Sequence, residues 1–174
     1  MIQIRQGVFE TNSSSTHAIS ICEFHSNIEL PEVVLFETNQ DFGWEFEDYT
    51  DVYSKANYLW LAICYKYSTL GDEDELIRAK ATLTQYLERI GVRAEFEDRR
   101  YVEYDWLDDK YIDMRGYIDH PDDLYELVDA VLERPELLYG YLFNSESMVS
   151  TGNDNSERDV SYADNAIFSV SKGN

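Results

Sequence analysis

The sequence predicts an α+β fold in which a mixed or antiparallel sheet packs against about three amphipathic helices. The opening third alternates apolar and polar residues, as β-strands do, whereas apolar residues between positions 51 and 90 recur at the spacing of an α-helix. The 174 residues suit one domain, because a chain of this size buries about two-thirds of its unfolded surface without help from disulfides or metals. We therefore expect residues 1–174 to form a single acidic domain.

The opening third is predicted to be mainly β. Residues 2–8 and 17–24 each alternate apolar and polar side chains on either side of the polar loop 10–16, which predicts a hairpin with a wide turn. Residues 33–36 are rich in Val and Phe and predict a further strand. Residues 43–46 predict another short strand.

Two helices are predicted next. The first runs from about residue 51 to 68, with Thr50 or Asp51 placed to cap its N-terminus. Its apolar residues share one helical face: Val52, Ala56, Leu59, Trp60, Ile63 and Tyr67. The second runs from about residue 72 to 90, carries acids in its first turn, and is followed by Gly91, which suits a C-cap.

The remaining elements combine β and α. Residues 92–96 and 101–104 return to alternation around a charged turn and predict a second hairpin. Pro121 suits the first position of a third helix, which must end before Pro135. Residues 137–143 fit either a helix or a buried strand. An apolar triplet near the C-terminus fits a final strand or a loosely held end.

The composition is strongly acidic. Thirty-five Asp and Glu residues against fourteen Lys and Arg residues give a net charge of −21, which repels phosphate and anionic lipid. Direct nucleic-acid binding and membrane association are therefore not expected. Cys22 and Cys64 stand in neither a CxxC pair nor a disulfide framework, and the N-terminus lacks the apolar stretch of a signal peptide. These features predict a cytoplasmic protein.

A polar segment precedes the strand predicted over residues 17–24. It reads ETNSSSTH from Glu10 to His17, and it combines small hydrogen-bonding residues with one histidine, as a binding loop or a nucleophile–base pair would. Asn and Ser also favour ordinary turns, because their side chains bond to their own backbone. The segment therefore fits either a capped loop or a functional site.

The run RQGVFETNSSSTH at 5–17 resembles the opening signature of short, functionally obscure proteins of Firmicute bacteria and their phages. SMVSTGNDN at 147–155 resembles a later segment of the same group. If the two segments act together, they would form a polar pocket for a small ligand, a metal or a catalytic role. The residues of this polar signature are Glu10, Asn12, Ser13, Ser14, Ser15, His17, Asn153 and Asp154. A catalytic role would fall to Ser14, His17 and Asp154.

No metal or cofactor is predicted. His17, His25 and His120 are far apart in the sequence, and neither an HxxxH nor a CxxC spacing occurs. The chain also has no P-loop, GxGxxG or GxSxG motif. Hard ions could still use clustered carboxylates.

Averaged over the molecule, the charge is too dilute to imitate DNA. On a folded surface of roughly 9,000 Å² it amounts to about one net charge per 400 Å², against roughly one per 100 Å² for a duplex. Imitation requires clustering, and the segments 41–51 and 95–123 are both rich in acids. In the second segment, aromatic residues alternate with the acids, which fits either a protein-binding surface or the core face of a strand. The predicted partner-binding residues are Asp41, Glu45, Glu47, Asp48, Asp51, Glu103, Asp105, Asp108, Asp109, Asp113, Tyr104, Trp106 and Tyr111.

The acidic segments and the phage-like signature together predict an inhibitor encoded by a phage or mobile element. Its partner would be a basic nucleic-acid-binding defence protein of the host, such as a Cas9-type effector, whose nucleic-acid channel or PAM-reading surface it would occupy in the manner of an anti-CRISPR protein. An alternative is a small enzyme or ligand-binding protein that uses the loop 12–17 with Asp154. A third is a structural or accessory phage protein. The oligomeric state is left open.

Overall fold

The protein, seen here in a computed structural model, is described over residues 15–43, 45–69, 73–97, 101–103, 110–112, 114–119, 124–153 and 159–172. The helices in these ranges are α1 (Val52–Thr69), α2 (Glu73–Arg89), α3 (Tyr125–Glu133) and α4 (Pro135–Phe143). The strands are β1 (Ser15–Cys22), β2 (Val33–Phe36), β3 (Asp41–Phe42), β4 (Glu47–Tyr49), β5 (Arg93–Phe96), β6 (Tyr101–Glu103), β7 (Lys110–Ile112), β8 (Tyr117–Ile118), β9 (Met148–Asn153) and β10 (Ala166–Lys172). This arrangement confirms the predicted α+β class.

The main sheet is antiparallel and has the strand order β10-β1-β9-β4. β1 is an inner strand that pairs with β10 on one side and β9 on the other. All of its residues except Thr16 are buried. The predicted hairpin partner of this strand, residues 2–8, lies outside the described residues. Over residues 17–20, both edges of β1 are occupied by strands from the C-terminal part of the chain.

Two short strand pairs are parallel, β2 with β5 and β3 with β8. The predicted hairpin between 92–96 and 101–104 is therefore wrong, because β5 lies beside β2 whereas β6 pairs with β7. Parallel neighbours need a long crossover connection, and the chain between β2 and β5 contains α1 and α2. Alternation within a strand does not identify a partner that is so distant in sequence.

The prediction of a strand over residues 43–46 is also wrong for the described residues of this segment, 43, 45 and 46. β3 ends at Phe42 and β4 begins at Glu47, on either side of this segment. Gly43 has a φ of 113°, which lies outside the β region that other residues occupy. The chain changes direction here instead of continuing as a strand.

Helix α1 is enclosed by the rest of the core. Asp51 Oδ1 accepts a hydrogen bond from the backbone N–H of Ser54 at 2.8 Å, which confirms the predicted cap. Every residue from Ser54 to Cys64 is buried. The helix is therefore buried on all sides over this stretch, and the apolar face seen in the sequence is only part of its contact surface.

The other helices agree in part with the predictions made from the sequence. α2 has acids in its first turn and Arg89 in its last, and Gly91 follows it with a φ of 78°, as predicted. α3 begins at Tyr125, and Pro121 lies outside the described residues. Residues 137–143 are helical and belong to α4, whose first turn contains Pro135. The apolar triplet near the C-terminus lies in β10. None of the helices described is both long and apolar enough to cross a membrane.

Candidate functional site

A buried chain of polar side chains has His17 at its centre. Side chains alternate between the two faces of a strand, so Ser15 and His17 of β1 lie on the same face. Tyr58 of α1 reaches the other side of the imidazole ring. His17 and Tyr58 are fully buried. Ser15 Oγ lies 3.0 Å from His17 Nε2, and the Tyr58 hydroxyl lies 3.1 Å from His17 Nδ1.

The direction of these hydrogen bonds follows from Ser15. Its hydroxyl donates to the backbone carbonyl oxygen of Asp119 at 3.0 Å, and a hydroxyl has only one hydrogen to donate. His17 Nε2 must therefore carry a hydrogen and donate it to Ser15 Oγ. In the neutral ring, Nδ1 then accepts from the Tyr58 hydroxyl. We call this chain of Tyr58, His17, Ser15 and the Asp119 carbonyl the His17 relay.

The His17 relay has the wrong polarity for a nucleophile–base pair. A base must accept the hydrogen of the hydroxyl that it activates, whereas His17 Nε2 already carries one and donates it to Ser15. The ring is also fully buried. What the relay does is join β1 to α1 and to the residue that follows β8.

Gly43 and Asp119 close the space beside the ring. A Cβ atom on Gly43 would lie 3.0 Å from His17 Nε2 and 3.0 Å from the Asp119 Cβ. The φ of Gly43 is also one that residues with a side chain rarely adopt. Glycine is required here on both grounds, and the segment after β3 can thereby pack directly on the histidine.

The two signature segments lie side by side. β1 pairs with β9 so that Ser15 faces Asn153 and His17 faces Thr151. Among the described residues, the serine that bonds to His17 is Ser15. The other signature residues lie outside the described residues: Glu10, Asn12, Ser13, Ser14 and Asp154. Tyr58 was missed from the sequence, because a tyrosine on an apolar helix is indistinguishable there from an ordinary core residue.

The first acidic segment, residues 41–51, contains acids of two kinds. Asp48 Oδ1 accepts a hydrogen bond from Ser150 Oγ at 2.5 Å, and Asp51 caps α1. These two carboxylates therefore stabilise the fold. The other three acids of the segment are Asp41, Glu45 and Glu47, and all five acids are exposed.

Part of the second acidic segment lies beside the first. The parallel pairing of β3 with β8 sets Asp41 opposite Tyr117, and Asp119 follows directly after β8. Burial raises the pKa of Tyr117, and the negative charges of Asp41 and Asp119 raise it further. Burial also raises the pKa of Tyr65 on α1, and the same two carboxylates add to that shift. The two acids thus act on the same pair of tyrosines.

Strand β4 continues this acidic region. The Phe42 ring of β3 packs against the Tyr49 ring of β4 with 4.9 Å between ring centroids. The Tyr49 hydroxyl donates to Glu47 Oε2 at 2.9 Å. Burial raises the pKa of Tyr49 above its usual range, and the hydrogen bond and charge of Glu47 raise it further. We define the acidic face by its five residues: Asp41, Glu45, Glu47, Tyr117 and Asp119.

None of the predicted partner-binding residues of the second acidic segment has a described side chain. Glu103 and Tyr111 belong to the paired strands β6 and β7, of which only the backbone is described. The remaining predicted residues lie outside the described ranges: Tyr104, Asp105, Trp106, Asp108, Asp109 and Asp113. The acidic face therefore combines Asp41, Glu45 and Glu47 from the predicted set with Tyr117 and Asp119.

Lys55 is a buried polar residue that the sequence did not reveal. It lies on α1 and is fully buried, and its ammonium group donates to the carbonyl oxygens of Asn144 at 2.9 Å and Ser147 at 3.1 Å. Burial lowers the pKa of Lys55 to about 8, although the negative charge of Asp51 opposes that shift. Lysines are rarely buried, so only the enclosure of α1 could have indicated this position.

A cavity of about 230 Å³ lies beside the turn that connects α4 to β9, whose carbonyl groups accept hydrogen bonds from Lys55. It is lined by His25, Ile28, Phe143, Asn144, Ser145 and Glu146. Within the described ranges, no group of three His, Cys, Asp or Glu side chains is arranged to hold a metal ion. The cavity contributes one histidine and one carboxylate, which is fewer than a protein metal site requires.

Comparisons with known proteins gave no match: no protein-family model, no curated protein and no solved structure matches this chain.

Proposed function

We propose that this protein binds a basic protein surface through its acidic face. The observation that supports this is the parallel pairing of β3 with β8, which brings the exposed Asp41 and the half-buried Asp119 from two distant segments to one region. Tyr117 adds an aromatic ring beside these carboxylates. Carboxylates and aromatic rings are the groups that pair with and stack against arginine side chains.

Local concentration of charge is essential to this proposal. The solvent-accessible surface is 10540 Å², so a net charge of −21 averages about one per 500 Å², several times below the density of a DNA duplex. An even distribution would compete poorly with nucleic acid for a cationic groove. A cluster of acids produces a stronger local potential, and it also steers a basic partner towards that region.

The partner class that we propose is a nucleic-acid-binding defence protein of the host, and the proposed role is inhibition. A protein encoded by a phage or mobile element could act in this way without any chemical step, as an anti-CRISPR-like inhibitor. A Cas9-type effector is the specific candidate, because it holds its nucleic acid in a positively charged channel. Occupation of that channel by the acidic face predicts stoichiometric inhibition.

The experiment is a binding assay with a purified Cas9-type effector, with and without guide RNA. We expect co-elution on size exclusion, displacement of labelled target DNA, and weaker binding as the salt concentration rises from about 50 to about 500 mM, because screening weakens contacts between exposed charges. An unrelated basic DNA-binding protein serves as the control. Equal binding to both proteins would contradict an effector-specific inhibitor, and binding to neither would contradict the basic partner.

A second candidate function is that of a small enzyme or ligand-binding protein that uses the signature segments. The observation in its favour is the pairing of β1 with β9, which joins the backbones of the two segments. Native mass spectrometry of the purified chain tests this function. A bound small molecule or metal ion that is lost in folded His17→Ala and Asp154→Ala variants would favour it, and a ligand-free chain would argue against it.

A further inference from the structure

Polar side chains gather where β2 ends, against the first two turns of α1. They come from the segment that follows β2 and from α1 itself. We call this group the amide cluster, and its members are Glu37, Asn39, Gln40, Tyr53, Ser54 and Asn57. β2 and β5 are parallel, so the cluster lies at the carboxyl end of a parallel strand pair.

The orientation of two amide groups in this cluster is fixed by a carboxylate. Glu37 Oε2 accepts hydrogen bonds from Asn39 Nδ2 at 3.0 Å and from the Tyr53 hydroxyl at 2.7 Å. Only the nitrogen of an amide can donate to a carboxylate, so Asn39 Oδ1 must point the other way. It accepts from Asn57 Nδ2 at 2.5 Å. The Asn57 amide is thereby oriented as well.

This chain of bonds leaves an acceptor without a donor. Asn57 is fully buried, and its Oδ1 atom has no hydrogen-bond partner. Gln40 Oε1 is also buried without a partner, and Gln40 Nε2 lies 3.4 Å from Ser54 Oγ. Buried polar atoms almost always have partners, because leaving one unsatisfied is costly. Among the described residues, two amide oxygens of this cluster therefore have no donor.

We infer that the amide cluster binds a guanidinium or ammonium group. The two unpaired amide oxygens are acceptors, and the Glu37 carboxylate adds a negative charge to the cluster, so a cation that carries several N–H groups supplies the donors that the amide oxygens lack. Arg115, which reaches the same end of β2, is already paired with Glu97 at 3.3 Å. The group can belong to a small molecule or to an arginine side chain. The amide cluster shares no residue with the acidic face, although Gln40 directly precedes Asp41, and its test does not depend on the proposed function.

Trp60 provides a reporter for this site. It lies three residues after Asn57 on α1, and its ring packs edge-on against Phe36 and Phe96, the last residues of β2 and β5. Its indole Nε1 is buried and has no hydrogen-bond partner. The indole N–H signal in a proton–nitrogen NMR spectrum should therefore respond when the cluster is occupied, and a Trp60→Phe variant assigns that signal.

The experiment is an NMR titration of the full chain with ethylguanidinium. Tetramethylammonium is the matched control, because it has the same charge but no N–H donor. We expect saturable shifts of the Trp60 indole and Asn57 amide signals with ethylguanidinium, and only weak, linear shifts with tetramethylammonium. An arginine derivative blocked at both ends separates the sources: about tenfold tighter binding than ethylguanidinium assigns the group to a protein side chain, and equal binding assigns it to a small molecule.

Two variants complete the test. Asn57→Leu should abolish the saturable shift of the Trp60 signal, whereas Gln85→Leu, which removes an exposed amide on α2, should leave it unchanged. If Asn57→Leu does not fold, Gln40→Met is used, and we expect about tenfold weaker binding. Equal responses to the two cations, or a saturable response that survives the loss of Asn57, would overturn the inference.

Discussion

Two polar clusters pack against helix α1, and they differ in how completely their hydrogen bonds are made. The His17 relay runs from Tyr58 through His17 and Ser15 and ends on the backbone carbonyl of Asp119. The amide cluster runs inward from Glu37 and ends at Asn57, whose Oδ1 atom has no donor. The His17 relay therefore holds elements of the fold together, whereas the amide cluster keeps an acceptor that a ligand can use.

The largest effect is expected from breaking the His17 relay. His17→Ala should lower the free energy of unfolding by about 3 kcal/mol, because it leaves a cavity, removes the acceptor of the Tyr58 hydroxyl and removes the donor to Ser15 Oγ. Tyr58→Phe, which removes a single hydrogen bond, should cost about 1 kcal/mol. Chemical denaturation measures both values. A loss below about 1 kcal/mol for His17→Ala would show that the relay does not stabilise the fold.

The packing of Gly43 on the relay gives a second, smaller effect. Gly43→Ala should lower the free energy of unfolding by about 2 kcal/mol, because the new methyl group crowds His17 and the backbone is strained. Gly91→Ala is the control: its φ is also positive, at 78°, but its Cβ would meet nothing within 4 Å. That variant should cost about 1 kcal/mol. Equal losses would mean that contact with His17 is unimportant.

Lys55 is a third polar group on α1, and the pH dependence of stability tests its environment. Its folded-state pKa of about 8 lies below the unfolded value, so from about pH 8 to pH 10 the unfolded chain binds more protons and stability rises with pH. The raised pKa values of Cys22 and Tyr58 act in the opposite direction. The quantity to measure is therefore the difference in unfolding free energy between the parent protein and the Lys55→Met variant.

Relative to Lys55→Met, the parent protein should gain about 2 kcal/mol of unfolding free energy between about pH 7.5 and pH 10. Urea denaturation at several pH values measures this difference. A constant difference across the range would show that Lys55 is not held in an environment that disfavours its charge.

The smallest effect is expected in the amide cluster. Asn57→Leu removes an unpaired buried acceptor together with one hydrogen bond, so the two changes should nearly cancel, and the free energy of unfolding should change by less than about 1 kcal/mol. The same denaturation assay compares it with His17→Ala. A loss as large as that of His17→Ala would remove the distinction between the two clusters.

Several elements could be predicted because their signals are local. The acids in the first turn of α2 and Gly91 after its end are set by the helix itself, and Asp51 caps α1 through its own neighbour Ser54. The alternation in β1 predicted a strand, and the structure buries both of its faces. Such features need no knowledge of distant residues.

Other features depend on contacts between distant parts of the chain and left no local signal. β5 pairs with β2 rather than with the next strand in sequence, and the convergence of Asp41 with Asp119 follows from the equally distant pairing of β3 with β8. Residues 137–143 are apolar throughout and buried, so they show no period that would distinguish a helix from a strand. Tyr58, the partner of His17 on α1, could not be predicted because it lies in a similarly apolar stretch of sequence.

The acidic face is the central claim, and one measurement tests it most directly. The affinity for a Cas9-type effector is compared between the triple variant Asp41→Asn, Glu45→Gln, Glu47→Gln and a control, Glu73→Gln, Asp74→Asn, Glu88→Gln, whose three acids are exposed on α2. Both variants remove three negative charges, and both spare Asp48 and Asp51. We predict binding weaker by about tenfold or more for the first and nearly unchanged for the second. Equal losses in the two variants would contradict a localised acidic face.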